Sequence, residues 1–233
     1  GLDDLKPFNP REKVIEYLLE DAEKKQKLID LTVKEFADET SRESPAPGGG
    51  TISAYMGALG AALGTMVANL SSHKAGWDAR WEEFSNWANK GQAIQSELMV
   101  LVDEDTKAFN RIMSAFGLPK ESAEEKTARS MAIQEATLFA TEVPLHTMQA
   151  SYKVFELCQA MAEEGNPNSV SDAGVGVLAA RAAVLGAGLN VKINASGLKD
   201  KQKAEQLVSE ANILINKANE AEKEIMKIVE TKL

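Results

Sequence analysis

Cysteine, histidine and aromatic residues are scarce in this 233-residue chain: one cysteine, two histidines, and 6% Phe, Trp and Tyr. A lone Cys158 excludes an intramolecular disulfide and any multi-cysteine zinc site. His73 and His146 stand far apart and form no metal-ligand motif, so no metal is expected. Positive charge is also short, with 26 Lys and Arg against 35 Asp and Glu, a net charge of −9. No run of five basic residues occurs, so nucleic acid is not an expected partner. Anionic membranes are disfavoured for the same reason. The opening residues lack the basic-then-apolar layout of a signal peptide, which predicts a cytoplasmic chain whose sequons at Asn69 and Asn194 are coincidental.

What is present is ordinary globular composition, 44% hydrophobic and 26% charged, rich in the helix formers Ala, Leu, Lys and Glu. From Ser44 to His73 there is no Asp, Glu, Lys or Arg, and residues 51–70 are long enough to span a bilayer. Most of that stretch is Ala and Gly, however, and no second span accompanies it. It therefore reads as a buried helix in a globular core, where Gly60-x-x-x-Gly64 admits another backbone closely.

The pattern predicts helices over 10–26 and 28–40, then a turn-forming run at 44–50 and a small-residue helix from Thr51. The three tryptophans at 77–87 lead into a long helix over 91–115. A helix over 122–142 is expected to break at Pro144, with another continuing to 164. The run 165–169 is a second loop, followed by a second small-residue helix over 170–190. In the last helix, Ala204, Leu207, Ala211, Leu214, Ala218, Ala221, Ile225 and Ile228 alternate spacings of three and four, a coiled-coil-like stripe. The expectation is one all-α domain over 1–233: a helical bundle with two central Gly/Ala-rich helices and a long C-terminal amphipathic helix.

Candidate chemistry lies where polar groups interrupt apolar faces. At 100° per residue, Asp105 falls on the line of Leu98, Val102, Phe109, Ile112 and Phe116. Burial there would raise its pKa toward the range useful for proton transfer; the competing reading is a buried salt bridge or cap. Glu135 and Glu142 share a face with Met131 and Leu138, and pairing with Arg or Lys of another helix accounts for them best. Both loops precede a helix start, where free N–H groups and the dipole favour anions. Ser44, Pro47, Gly48, Gly49 and Gly50 form the first; Asn166, Asn168, Ser169 and Asp172 form the second, where Ser169 or Asp172 could simply cap. Asn190 shares a helical face with Asp172 but lies about 27 Å along the axis, too far for one small site within a subunit.

The blocks Ser44-Pro-Ala-Pro-Gly-Gly-Gly50, Gly57-Ala-Leu-Gly-Ala-Ala-Leu-Gly-Thr-Met-Val-Ala-Asn69, Asp103-Glu-Asp-Thr-Lys-Ala-Phe109 and Gly165-Asn-Pro-Asn-Ser-Val-Ser-Asp-Ala-Gly-Val-Gly176 occur in order. They are followed by Ala-Ala-Arg181 and Asn190-Val-Lys-Ile-Asn194. In this series the chain resembles the formiminotetrahydrofolate cyclodeaminase family over nearly its whole length. Residues 1–10 resemble the junction at which bifunctional formiminotransferase-cyclodeaminases enter this domain.

The resemblance implies an all-helical homodimeric enzyme of histidine degradation and one-carbon folate metabolism, a lyase. It would close the formimino group of formiminotetrahydrofolate to methenyltetrahydrofolate and release ammonia. It implies Asp105 as acid/base, a substrate site drawn from the two loops with Asn190 and Asn194, and no cofactor beyond the tetrahydrofolate-derived substrate. The folate could carry a polyglutamate tail, and a formiminotransferase domain or protein is a candidate partner. Stand-alone relatives resembling this chain instead hydrolyse methenyltetrahydrofolate, which makes a cyclohydrolase the alternative. A non-enzymatic helical scaffold is the second alternative.

Overall fold

The computed structural model describes residues 27–233; the helix expected over 10–26 lies outside the described residues. Two compact units result, one ending at Arg42 and the other spanning Glu43–Leu233. In the first, a 3₁₀ turn, Leu28–Asp30, precedes helix α1, Val33–Thr40. One helix over 28–40 was expected; Thr32 divides it. Its hydroxyl accepts from Glu35 N at 3.2 Å, and its own N–H donates to Glu35 Oε2 at 2.9 Å, a capping box that starts a fresh helix.

The second unit is built of α2 (Gly49–Ser72), α3 (Trp81–Phe116), α4 (Ala123–Glu164), α5 (Val170–Ser196) and α6 (Lys201–Lys232). No strand occurs among the described residues. Helix α2 is central. Gly57 faces Leu98 of α3 and Ser151 of α4, whereas Gly64 faces Leu157 and Cys158 of α4. Gly60 lies on α5, where an added β-carbon would stand 2.8 Å from Gly176 O and 3.3 Å from Ala180 N. This is the close backbone crossing expected of the two small-residue helices. The matched positions make α2 parallel to α4 and antiparallel to α3 and α5. Helix α6 closes the bundle over α4 and α5, burying Ala204, Leu207, Ala211, Ala218 and Ile225 of its stripe together with Val229.

Three expected boundaries shift. The long helix was expected to start at 91, after the tryptophan stretch, but α3 runs unbroken from Trp81 to Phe116. Gly91 does not interrupt it: a side chain there would meet Leu157 Cδ2 at 2.9 Å, so the glycine answers a packing need. Helix α5 continues past 190 to Ser196. Helix α4 continues through Pro144, against the predicted break. Proline lacks the N–H that Ala140 O would accept, and Asn194 Nδ2 of α5 supplies a substitute at 2.6 Å.

Among the described residues, two helices are long and apolar enough to cross a membrane, Gly49–Ser72 and Pro167–Ser196, where the sequence reading found one. Their most apolar windows are 61% and 50% buried within the protein, so a good part of that apolar surface already serves as core.

Candidate active site

The amino end of α2 carries the polar cluster. Gly48 is the N-cap and has no side chain to offer, and Gly49 and Gly50 form the first turn with their N–H groups unclaimed by capping side chains. Asp105 of α3 arrives beside this turn because α3 runs antiparallel to α2. Its carboxyl occupies the space a Gly50 side chain would need: a β-carbon there would lie 2.7 Å from Asp105 Cγ. Thr51, fully buried, donates its hydroxyl to Asp105 Oδ2 at 2.7 Å. Burial holds the Asp105 pKa above the usual carboxylate range, and the Thr51 hydroxyl and amide oppose that rise in part. On the other flank, Asn190 of α5 lies beside Gly49, its Nδ2 3.5 Å from the position of a β-carbon, and donates to Gly186 O at 3.0 Å.

Of the residues singled out from sequence, the structure thus brings together Gly49, Gly50, Asp105 and Asn190. Gly48 caps the helix and Pro47 is buried beneath it after a cis Ala46–Pro47 peptide. Ser44 is exposed, and its hydroxyl donates to Ala46 O at 2.9 Å within the loop. Thr51 was not anticipated. The available signal was a hydroxyl directly after three glycines at the start of an uncharged helix.

The second loop is elsewhere. Asn166 N donates to Ser71 Oγ at 2.8 Å, at the carboxyl end of α2. A 24-residue helix at 1.5 Å per residue puts that end about 34 Å from Gly49. The two loops therefore lie too far apart to bound one pocket within a single chain. Locally, Asn166 Oδ1 accepts from Asn168 N at 3.2 Å over the 3₁₀ turn Pro167–Ser169. Asn168 is exposed, Asp172 is half-buried in the first turn of α5, and Ser169 is buried at the N-cap without a side-chain capping bond. Asn194, expected to bind substrate, instead holds Ala140 O across the Pro144 step.

The other acids are paired as anticipated: Glu135 with Arg111 at 3.5 Å and Glu142 with Lys203 at 3.6 Å. His146 Nε2 lies 2.9 Å from Glu97 Oε1, and Lys153 Nζ 2.9 Å from Glu97 Oε2. These two bonds hold the Glu97 carboxyl below its usual pKa although burial pushes it up. An open groove of about 530 Å³ between α3 and α4 is lined by Lys107, Arg111 and Glu135. Its charges are already matched, Lys107 by Glu104 at 2.7 Å and Arg111 by Glu135.

A half-buried carboxyl beside a glycine-lined helix start, its pKa raised by burial, is an arrangement that general acid–base chemistry can use. The chain belongs to the formiminotransferase-cyclodeaminase family, whose model matches residues 32–213. This is a family of folate one-carbon enzymes. The methenyltetrahydrofolate cyclohydrolase of Methylorubrum extorquens is 39% identical over 202 residues, spanning 87% of this chain and 97% of its own. The formimidoyltransferase-cyclodeaminase of Rattus norvegicus is 35% identical over 212 residues, 90% of this chain but 39% of the rat protein. The crystal structure of formiminotetrahydrofolate cyclodeaminase from Thermotoga maritima superposes with a TM-score of 0.76 at 25% identity, covering 86% of this chain and 96% of that one.

Proposed function

We propose that this protein is a formiminotetrahydrofolate cyclodeaminase, a cytoplasmic lyase of histidine degradation, with Asp105 as its acid/base. The observation that carries the reading is the half-buried Asp105 carboxyl at the amino end of α2. The ten-position nitrogen of the folate attacks the carbon of the formimino group, which enters protonated as an amidinium, and gives its own proton to Asp105. Asp105 returns that proton to the departing nitrogen, the carbon–nitrogen bond breaks, and ammonia leaves methenyltetrahydrofolate behind. Both steps move protons without oxidation or reduction, so the reading needs no cofactor beyond the folate. The anionic folate, with or without a polyglutamate tail, meets free N–H groups at a helix start, which favour anions in an otherwise acidic protein. A formiminotransferase, fused or separate, would supply the substrate.

In this reading the working unit is a homodimer. Leu59, Met66 and Leu70 of α2, with Val175, Leu178, Leu189 and Ile193 of α5, are exposed along an antiparallel helix pair that reaches both loops. Two copies packed on this face with their ends exchanged set loop 166–172 of one beside Gly49 and Asp105 of the other, restoring a pocket drawn from both loops.

A second reading has one specific support, the similarity of the chain to the M. extorquens cyclohydrolase across 97% of that protein. There water attacks the methenyl carbon, Asp105 takes its proton and returns it to the five-position nitrogen, and the bond from that nitrogen to the carbon breaks to leave the ten-formyl form. Purified protein supplied with formiminotetrahydrofolate distinguishes the two: ammonia and methenyltetrahydrofolate appearing in equal amounts are expected of a cyclodeaminase. Hydrolysis of methenyltetrahydrofolate without ammonia release from the formimino substrate would establish the cyclohydrolase instead.

A further inference from the structure

Thr51 departs from the habit of the other buried threonines. Thr65, Thr137 and Thr141 each turn the hydroxyl back to the carbonyl four residues earlier, at 2.7, 2.7 and 2.8 Å. For Thr51 that residue is Pro47, which precedes the helix. Its hydroxyl reaches instead to Asp105 Oδ2, 54 residues away in the chain. Thr51 is fully buried, so no solvent competes for the bond.

The two carboxyl oxygens are thereby made unequal. Oδ2 accepts from Thr51, while Oδ1 lies over Gly50, closest of the carboxyl atoms to where a side chain is missing. We propose that Thr51 is the positioning residue for Asp105: it pins Oδ2 and fixes the carboxyl rotamer, leaving Oδ1 as the oxygen that exchanges protons with the folate. The proposal rests on the reading of Asp105 as the acid/base.

The charge environment isolates this pair. Helix α2 carries no Asp, Glu, Lys, Arg or His from Gly49 to Ser72, and Tyr55 is its one titratable side chain. On α4, Glu135 pairs with Arg111 and His146 with Glu97; on α3, Glu104 pairs with Lys107. Burial and Thr51 are the influences resolved on the Asp105 carboxyl, and no charged side chain is among them. A hydroxyl donating to the ionised carboxyl stabilises it, so its removal must move the Asp105 titration to higher pH.

The test compares pH–rate profiles of the full chain with Thr51→Val, Thr51→Ser and Asp105→Asn, using formiminotetrahydrofolate and methenyltetrahydrofolate as substrates. Thr51→Val keeps the shape and removes the donor; it should lower kcat by about 10- to 100-fold with little change in KM. It should also shift the limb that Asp105 governs to higher pH, and Thr51→Ser should return both toward wild type. The side-chain carboxyl carbon of Asp105, followed by ¹³C NMR and assigned by its loss in Asp105→Asn, reads the same shift without turnover. If Thr51→Val does not fold, Thr51→Ala carries the comparison. An unmoved Asp105 titration in a folded donor-less variant, with Asp105→Asn inactive, overturns the role of Thr51 and leaves that of Asp105. Full activity in Asp105→Asn would remove the acid/base reading itself.

Discussion

Asn194 repairs the defect that Pro144 makes. Its side-chain amide donates at 2.6 Å to Ala140 O, the carbonyl whose helical partner would have been the N–H of residue 144. Loss of the amide leaves a buried acceptor unmet, so Asn194→Ala should destabilise the protein by about 1–3 kcal/mol. With Pro144→Ala the helix supplies the N–H itself. The cost of Asn194→Ala should then largely vanish, and chemical denaturation of the four proteins in a double-mutant cycle measures the coupling.

Gly50→Ala should abolish turnover with the helical content kept. Its β-carbon would stand 2.7 Å from Asp105 Cγ, so the carboxyl must rotate off Thr51 or the two helices must part. Overpacking of this kind costs about 1–3 kcal/mol, which thermal unfolding followed by circular dichroism would register.

Asp105→Asn separates stability from activity. Turnover should fall by about 10²–10⁴-fold, the range of a lost general acid–base group. Stability should move the other way at neutral pH. Burial raises the Asp105 pKa in the folded state, so the folded protein binds that proton more tightly than the unfolded chain. Its contribution is therefore fullest below the unfolded pKa and is lost as pH rises through the folded one. The variant should unfold at higher temperature than wild type at pH 7, and the gap should close as the pH is lowered through the Asp105 titration.

A pocket shared between two copies, as proposed above, makes a prediction that a pocket within one chain cannot. Asn168→Ala lies about 34 Å from Gly49 in its own chain, yet it should impair folate binding as Gly49→Val does. Co-expressed with Asp105→Asn, it should recover activity, since random pairing leaves roughly a quarter of sites with both wild-type contributions. No recovery on mixing would confine the site to one chain.

Cys158 should be inert in the folded protein. It is fully buried between α2 and α5, and burial pushes its thiol pKa up to about 12. A thiol-specific reagent should label it in denaturant and leave the native protein unmodified at the same pH.

The all-helical class was legible because it depends on local order: apolar spacing, helix-forming composition, and the absence of strand-forming runs. The same periodicity put Asp105 on the inner face of α3, and the Gly/Ala composition foretold a close crossing of two small-residue helices, which the structure places at Gly60 and Gly176. Pro144 misled because the N–H it lacks is replaced from Asn194, 50 residues further on. That loops 44–50 and 166–172 lie at opposite ends of one chain was not legible, because helix direction is invisible to composition; both look like anion-binding helix starts, and only the antiparallel run of α2 and α5 separates them.

Sequence by itself determined which residues could face inward and where backbone N–H groups go free, since both follow from repeats of a few residues. Only the tertiary structure decided that Thr51 meets Asp105 and that Gly49 meets Asn190. Those contacts arise where three long helices, each set by its own local rules, are forced side by side by the burial of small residues. No spacing along the chain records which end of one helix lands beside which end of another.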